Sequence, residues 1–253
     1  MISRMESIHD YKYNSVLLET NDGLASGFFL EFEFLDKSKM ICLITNQHVV
    51  KNSKFLSFKV HTELQDRRFF RLTFDLSSSL NLYFGTENLL GSEYMDLIAF
   101  PFLVENDNVY EYYNEPIFDN GHVTAKELKI KILEISQVLP KENYSTLNPS
   151  DLVYVYGYPR GRHDEYNYTP MIYKGDISSI PNQNFNGERV FTVNVDARKG
   201  SSGSPVVSIQ NDEIFLIGVV RSGKEEESHT ECLKTDFFCQ SNLEFRKMPK
   251  DLW

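Results

Sequence analysis

The chain has 253 residues, of which 41% are hydrophobic, and its net charge is −10 at pH 7. This hydrophobic fraction is sufficient for a packed core, so the composition argues against a disordered chain. The acidic balance argues against a nucleic-acid partner, because phosphate backbones attract basic surfaces. No stretch approaches the roughly 18 apolar residues that a membrane span requires, so no membrane association is expected.

The cysteines and the N-terminal segment favour a reducing compartment. Three cysteines, Cys42, Cys232 and Cys239, are an odd and sparse set that does not make a disulfide framework. No histidine cluster completes a zinc site with them. Segment 1–15 contains no apolar stretch of the kind that a secretory signal has. We therefore expect a cytoplasmic protein that uses no metal and no cofactor.

Short apolar or alternating runs between turn residues predict an all-β chain. In the first half the predicted strands are Ser15–Thr20, Ser26–Phe34, Met40–Thr45, Phe55–Val60, Phe69–Phe74 and Leu97–Leu103. In the second half they are Leu128–Ile135, Leu152–Tyr156, Met171–Ile177, Val190–Val195, Val206–Ile209 and Ile214–Val220. The polar segment 105–124 is interpreted as a linker, and segment 241–253 as a tail with one short helix. Strands at this spacing are typical of sandwiches and barrels, and periodicity alone does not separate the two.

The motif with the clearest chemistry is GSSGSP, Gly200–Pro205, which is followed by an apolar run. A nucleophilic serine needs its Oγ clear of the backbone and nearby N–H groups that face the developing oxyanion. The glycines on both sides of Ser202 permit the tight conformation that this requires. Taken alone, the motif fits a plain turn between two strands equally well.

His48 and Asp96, both much earlier in the chain, support Ser202 as a nucleophile. His48 follows an apolar strand, and Asp96 begins another, where a carboxylate is unfavourable to bury without a partner. In the expected triad, Asp96 accepts from His48 Nδ1–H, and His48 Nε2 takes the Ser202 proton. The spacing assigns His48 and Asp96 to the first β unit and Ser202 to the second, so the site would lie in the cleft between the units.

Taken together, these motifs resemble the trypsin-like (chymotrypsin-fold) serine peptidases, especially the bacterial intracellular and Deg-type branch. The segments that carry the resemblance are, in chain order, ASGFF (25–29), TNQHVV (45–50), MDLIAF (95–100), YGYP (156–159), GSSGSP (200–205) and LIGVV (216–220). The order His, Asp, Ser is also that of the family. The sequence departs from the family pattern at Ser204, where glycine is usual, and at Ser201, where secreted members have aspartate. After Gly223 the pattern is lost.

The resemblance implies two six-stranded antiparallel β-barrels, with the active site in the cleft between them. Residues 1–110 would form the N-terminal barrel, 111–126 the linker, and 127–253 the C-terminal barrel with a short tail. The resemblance also implies hydrolysis of peptide bonds through an acyl-enzyme. The backbone N–H groups of Gly200 and Ser202 would then form the oxyanion hole.

Residues that bind the substrate also follow from the resemblance. Asp196 lies six residues before Ser202, an offset at which an aspartate selects Arg or Lys from the floor of the primary pocket in secreted trypsins. The alternative is an aspartate that ends a strand and caps a turn. Arg221, Ser222 and Gly223 would form the pocket wall that pairs with the substrate backbone. An Arg221 that neutralises Asp196 would remove the preference for basic residues.

The sequence therefore predicts a cytoplasmic serine endopeptidase with a regulatory, stress or defence role, acting on a protein or peptide substrate. Two alternatives stay open: a trypsin-like module that binds peptides and cleaves poorly, and a peptidase gated by an activating protein partner. In secreted members a buried ammonium pairs with the aspartate before the nucleophile. Ser201 offers no such counter-charge, so activation by an N-terminal cut is not expected.

Overall fold

The computed structural model describes residues 8–33, 37–62, 69–76, 84–85, 96–106, 109–112, 116–118, 124–222 and 229–239. In these ranges the regular structure is mainly β, arranged in two curled antiparallel sheets. Short 3-10 turns and the one-turn helix α1 (Gln47–Val50) connect the strands. No helix in the ranges just given is long and apolar enough to cross a membrane.

The first sheet contains ten of the described strands. They are β1 (Ser15–Thr20), β2 (Gly23–Glu33), β3 (Lys39–Thr45), β4 (Phe55–Thr62), β5 (Phe69–Asp75), β6 (Phe84–Gly85), β7 (Ile98–Asn106), β8 (Val109–Tyr112), β9 (Ile117–Phe118) and β10 (Leu128–Lys129). Their order is β6-β7-β3-β2-β1-β4-β5-β9, with β8 paired to β7 and β10 paired to β4. The six consecutive strands from β7 to β5 have six to eleven residues each and form the body of the sheet.

The second sheet contains seven described strands. They are β11 (Leu152–Gly157), β12 (His163–Asp164), β13 (Thr169–Asp176), β14 (Val190–Val193), β15 (Pro205–Gln210), β16 (Glu213–Ser222) and β17 (Thr230–Lys234). Their order is β12-β13-β11-β15-β16-β17-β14. A bridge between Ile177 and Val193, with the Ser178 N–H donating to Thr192 O at 2.8 Å, joins the end of β13 to β14. The six strands from β13 to β14 therefore close on themselves.

The three largest apolar cores of the described residues follow from the alternation of side chains along the strands. On β2, Phe28, Leu30 and Phe32 lie in a core shared by the two sheets, whereas Ala25 and Phe29 lie in the interior of the first sheet. β3, β15 and β16 divide their side chains in the same way between the shared core and the interior of their own sheet. These strands are buried on both faces, which explains why their sequences are continuous apolar runs.

In the first half of the chain, the predicted and the observed structure differ mainly at the predicted linker. Segment 105–124 contains β8 and β9, which pair with β7 and β5, so its described part extends the first sheet. The predicted strand Leu128–Ile135 is regular only over β10, which also joins the first sheet. The division into 1–110, 111–126 and 127–253 stays a prediction. The tail 241–253 lies outside the described residues.

Candidate active site

Both carboxylate oxygens of Asp96 bind His48. Asp96 Oδ2 lies 2.5 Å from His48 Nδ1, and Asp96 Oδ1 accepts the backbone N–H of His48 at 2.9 Å. Asn46 Nδ2 donates to the backbone carbonyl of Asp96 at 2.8 Å. His48 is the second residue of α1, and Asp96 lies just before β7. These bonds therefore hold the turn that contains His48 against the start of β7.

The environment of this pair fixes the position of the ring proton. The Asp96 side chain is 9% exposed and the His48 side chain is 48% exposed. An ionised carboxylate only accepts hydrogen bonds, so the contact assigns the proton to His48 Nδ1 and leaves Nε2 as the acceptor. A buried carboxylate needs such partners, because an unpaired one is costly to desolvate.

The segment 198–204 forms a tight loop before β15, and three of its N–H groups hold it in place. The Ser201 N–H donates to Arg198 O at 2.8 Å, and the Ser204 N–H donates to Ser201 O at 3.0 Å. The Gly203 N–H donates to Val220 O, on β16, at 2.9 Å. The loop is thus anchored both to itself and to the second sheet.

Two other N–H groups of this loop are unbonded. In the part of the chain that the structure describes, neither the Gly200 N–H nor the Ser202 N–H donates a hydrogen bond. Gly200 has φ 97° and Gly203 has φ 86°, in the left-handed region that favours glycine. A Cβ atom at Gly200 would lie 2.7 Å from the backbone oxygen of Tyr158. The loop therefore needs glycine at both positions and leaves two neighbouring amide donors unused.

The loop also lies against the strand that leads to His48. A Cβ atom at Gly203 would lie 2.5 Å from Thr45 Oγ1, and Thr45 is the last residue of β3. Ser202 is partly exposed, and its hydroxyl makes no hydrogen bond with any residue that the structure describes. The structure thus brings the two segments together without a direct bond between Ser202 and His48.

Ser204, at the position where the family pattern has glycine, fits because Gly157 has no side chain. A Cβ atom at Gly157 would lie 2.1 Å from Ser204 Oγ. Ser204 is completely buried, and its hydroxyl has no partner among the described residues. The Gly157 of the YGYP segment and the Ser204 of the serine motif are therefore packed as a pair.

Two of the predicted specificity residues, Asp196 and Arg221, form ion pairs with different partners. The Asp196 side chain is 67% exposed, and its oxygens accept from Arg198 Nε at 2.8 and 2.7 Å. Arg221 instead forms ion pairs with Glu188 and, at 3.9 Å, with Glu231. Arg221 therefore does not neutralise Asp196. Asp196 is a surface residue that pairs with Arg198. This arrangement fits an aspartate that caps a turn better than one on the floor of a pocket.

The remaining pocket residues are described in part. Ser222 is the last residue of β16, and Gly223 lies outside the described residues. Among the residues that are described, no three His, Cys, Asp or Glu side chains are grouped so that they could hold a metal ion.

Ser26, for which the sequence predicts no role, contacts the serine loop directly. The Ser26 N–H donates to Ser202 O at 2.8 Å, and Ser26 Oγ donates to Gly200 O at 2.8 Å. The only signal for it in the sequence was its place in the ASGFF segment. A serine in an apolar strand gives no indication of a partner that lies 174 residues further along the chain.

Comparisons with known proteins bear on the family and the fold. Residues 102–219, a little under half of the chain, match the family model of the trypsin-like peptidase domain. This range contains the serine loop, whereas His48 and Asp96 precede it. No curated protein matches the chain.

Two solved structures are similar to the chain. One is Rv3671c from M. tuberculosis H37Rv, a serine-to-alanine mutant in its inactive form, at 14% identity and a TM-score of 0.50, covering 97% of this chain and 92% of that chain. The other is the Rv3671c protease in its inactive form, at 16% identity and a TM-score of 0.47, covering 94% and 91%. The first likeness, together with the two curled sheets, confirms the predicted fold with two β-barrels.

Proposed function

We propose that this chain, which matches the trypsin-like peptidase domain over residues 102–219, is a serine peptidase that cleaves peptide bonds through a triad of Ser202, His48 and Asp96. The observation that carries this proposal is the contact of both Asp96 oxygens with His48. It supports a histidine held in one tautomer, with Nε2 ready to accept a proton. The described cysteines are free thiols, which supports a reducing compartment such as the cytoplasm.

The proposed reaction has two halves, and His48 moves a proton in each. Ser202 Oγ attacks the peptide carbonyl carbon, and its proton passes to His48 Nε2. The carbonyl oxygen becomes an oxyanion, which accepts from the N–H groups of Gly200 and Ser202. His48 then gives the proton to the leaving amine, and the acyl-enzyme forms. In the second half a water molecule, deprotonated by His48, releases the acid and restores Ser202.

The two unbonded amide donors support the oxyanion part of this proposal. Donors that already face the developing charge need no rearrangement during the reaction, and one such donor contributes about 10²–10³ in rate. Gly200 and Ser202 flank Ser201, whose own N–H is bonded to Arg198 O. The loop therefore uses the N–H groups of Ser201, Gly203 and Ser204 for its own structure and leaves those of Gly200 and Ser202 for a ligand.

Cleavage of an unfolded protein substrate by the purified chain tests the proposal. We expect fragments in mass spectrometry with the wild type and almost none with Ser202→Ala or His48→Ala, because the members of a triad act as a unit. Ser201→Ala, which removes the neighbouring hydroxyl, is the matched control and should retain cleavage. Equal cleavage by the wild type and Ser202→Ala would refute the assignment.

One observation favours a second candidate function. Because the Ser202 hydroxyl makes no bond to His48 in the described residues, the chain also fits a peptide-binding module or a peptidase gated by a partner protein. Catalytic hydrogen bonds often tighten only when substrate binds, so this geometry alone does not separate the two functions. A chain that binds peptides without cleaving them, and cleaves only after a partner is added, would support the second candidate.

A further inference from the structure

Ser26 lies at the junction of the two sheets and contacts the serine loop from the first one. It belongs to β2 and is completely buried. Its hydroxyl donates to Gly200 O at 2.8 Å and accepts the Tyr158 N–H at 3.0 Å. Its backbone N–H donates to Ser202 O at 2.8 Å. One residue of the first sheet thus binds three backbone groups in the segments that follow β11 and precede β15 of the second sheet.

The bonds of Ser26 fix peptide units that flank the two unbonded N–H groups. Its hydroxyl holds the carbonyl of Gly200, and its N–H holds the carbonyl of Ser202. Because each peptide unit is planar, holding a carbonyl also fixes the direction of the N–H on the following residue. The Ser201 and Gly203 amides are thereby directed to their acceptors, Arg198 O and Val220 O.

The Ser26 hydroxyl also supports a turn that binds the peptide unit between Lys199 and Gly200. Through the Tyr158 N–H, Ser26 binds the start of the turn at Pro159–Gly161, in which Arg160 has the left-handed φ of 56°. The Arg160 N–H donates to Lys199 O at 2.6 Å. In a trans peptide the N–H points opposite to the carbonyl, so this bond aims the Gly200 N–H away from the turn.

The Ser201 side chain does not supply this support. Ser201 is uncharged, and its hydroxyl makes no hydrogen bond with the residues that the structure describes. Among the described residues, neither a buried ion pair nor a serine hydroxyl of the loop holds it. The hydrogen bonds described for it come from backbone amides and the Ser26 hydroxyl.

We propose that Ser26 is a positioning residue that holds the loop of Gly200 and Ser202 in its donor-ready conformation from the first sheet. This inference rests on the proposed function, because it concerns the site at which the oxyanion forms. Loss of the hydroxyl leaves the Gly200 carbonyl and the Tyr158 N–H without their buried partner, and the loop rearranges to satisfy them. The effect falls on stabilisation of the transition state, with little change in substrate binding.

Four variants of the full chain test the inference. Ser26→Ala removes the hydroxyl, and Ser26→Cys keeps a similar shape with a much weaker donor. Ser26→Thr retains the hydroxyl, as the family pattern does. The matched control is Ser15→Ala, because Ser15 is also a buried serine whose hydroxyl crosses between the sheets, to Tyr156 O at 3.1 Å, away from the loop.

We expect Ser26→Ala and Ser26→Cys to lower kcat and the rate of fluorophosphonate labelling by about 10- to 100-fold, less than the loss of a whole oxyanion donor. In these two variants KM should change little. Ser26→Thr should have most of the wild-type kcat and labelling rate, and Ser15→Ala should have both unchanged. If the Ala variant does not fold, the Cys variant carries the comparison. Rates within about twofold of the wild type in both variants would overturn the inference, since removing a positioned donor costs far more.

Hydrogen exchange separates this inference from the proposed function, because it does not require activity. The bonded N–H groups of Ser201, Gly203 and Ser204 should exchange faster in Ser26→Ala than in the wild type or Ser15→Ala. Unchanged exchange in this loop would overturn the positioning role even in an inactive chain. A wild type that neither cleaves nor labels, yet shows faster exchange in Ser26→Ala, would contradict the proposed function and retain the positioning role.

Discussion

At the residue scale, Asp96 matters because it engages His48 with both oxygens. Asn at this position replaces one of the two carboxylate oxygens by an NH₂ donor, which then faces either the ring Nδ1–H or the backbone N–H of His48. Its amide group also favours the wrong tautomer of the ring. We expect Asp96→Asn to lower kcat by about 10³–10⁴ with the fold retained.

Steady-state kinetics and circular dichroism of Asp96→Asn check this expectation. Asp212→Asn, the same substitution at an exposed aspartate, is the control. A folded Asp96→Asn variant whose kcat falls by less than about tenfold would show that His48 does not depend on Asp96 as a triad base does.

A second prediction at this scale concerns Asp196. Because its side chain is 67% exposed and bound to Arg198, it is not placed to receive a substrate side chain in a closed pocket. We expect Asp196→Ser to leave the preference for the residue before the cleaved bond unchanged in a peptide library. Asp212→Ser, another exposed aspartate, is the control. Loss of an Arg or Lys preference in Asp196→Ser alone would restore the pocket interpretation.

At the scale of elements, the packing of β11 against the serine loop gives a prediction about Gly157 and Ser204. A Cβ atom at Gly157 would lie 2.1 Å from Ser204 Oγ, so Gly157→Ala overpacks a buried contact. We expect it to reduce the free energy of unfolding by about 1–3 kcal/mol. Ser204→Gly in the same chain should recover most of this loss.

Urea unfolding of the two single variants and the double variant measures the coupling between these positions. We expect an interaction free energy of about 1 kcal/mol or more, as found for residues in direct contact. Additive effects would mean that the chain shifts elsewhere to accept the new methyl group.

Most strands were predictable because their apolar runs have a simple cause. Ser15–Thr20 was predicted with the bounds of β1, and the runs that became β3 and β16 are apolar along their length because both faces are buried. β17 was missed because Thr230 and Lys234 give it a polar pattern. Thr230 Oγ1 donates to Val195 O at 2.6 Å, and Lys234 Nζ donates to Gln183 O at 2.7 Å. These acceptors are distant in the sequence, so no local pattern reveals them.

The candidate site, like the strands, was predictable only where a local sequence pattern indicates it. Spacing and motif alone indicated His48, Asp96 and Ser202, because each stands beside an apolar strand. Whether Asp196 faces a pocket depends on how Arg198 folds back on it, and the place of Ser26 depends on contacts between the two sheets. Both are properties of the tertiary structure.

At the scale of the whole molecule, a buried carboxylate makes stability depend on pH. Burial raises the pKa of Glu31 above its usual 4.5. The ammonium of Lys39, 3.1 Å from the Glu31 carboxylate, lowers this pKa, whereas the charges of Glu134 and Glu105 raise it further. The folded chain therefore holds this proton more tightly than the unfolded chain, so ionisation of Glu31 weakens the fold as pH rises through and above 4.5.

Glu31→Gln should consequently gain stability relative to the wild type as the pH is raised from about 4 to 7, because the neutral amide does not ionise. Urea unfolding at both pH values checks this, with the exposed Glu213→Gln as the control. A difference between Glu31→Gln and the wild type that does not change with pH would show that Glu31 keeps its ordinary titration in the fold.

The proposed activity requires that Ser202, which precedes the second sheet's β15, meets His48, which follows the first sheet's β3, where the two sheets join. The most direct test is to label the purified chain with a fluorophosphonate, which reacts only with an activated serine, and to locate the adduct by peptide mass spectrometry. The account predicts one adduct on Ser202 that is absent from Ser202→Ala and strongly reduced in His48→Ala and Asp96→Asn. An adduct on Ser201 or Ser204, or labelling of Ser202 that is equally fast in His48→Ala, would contradict it.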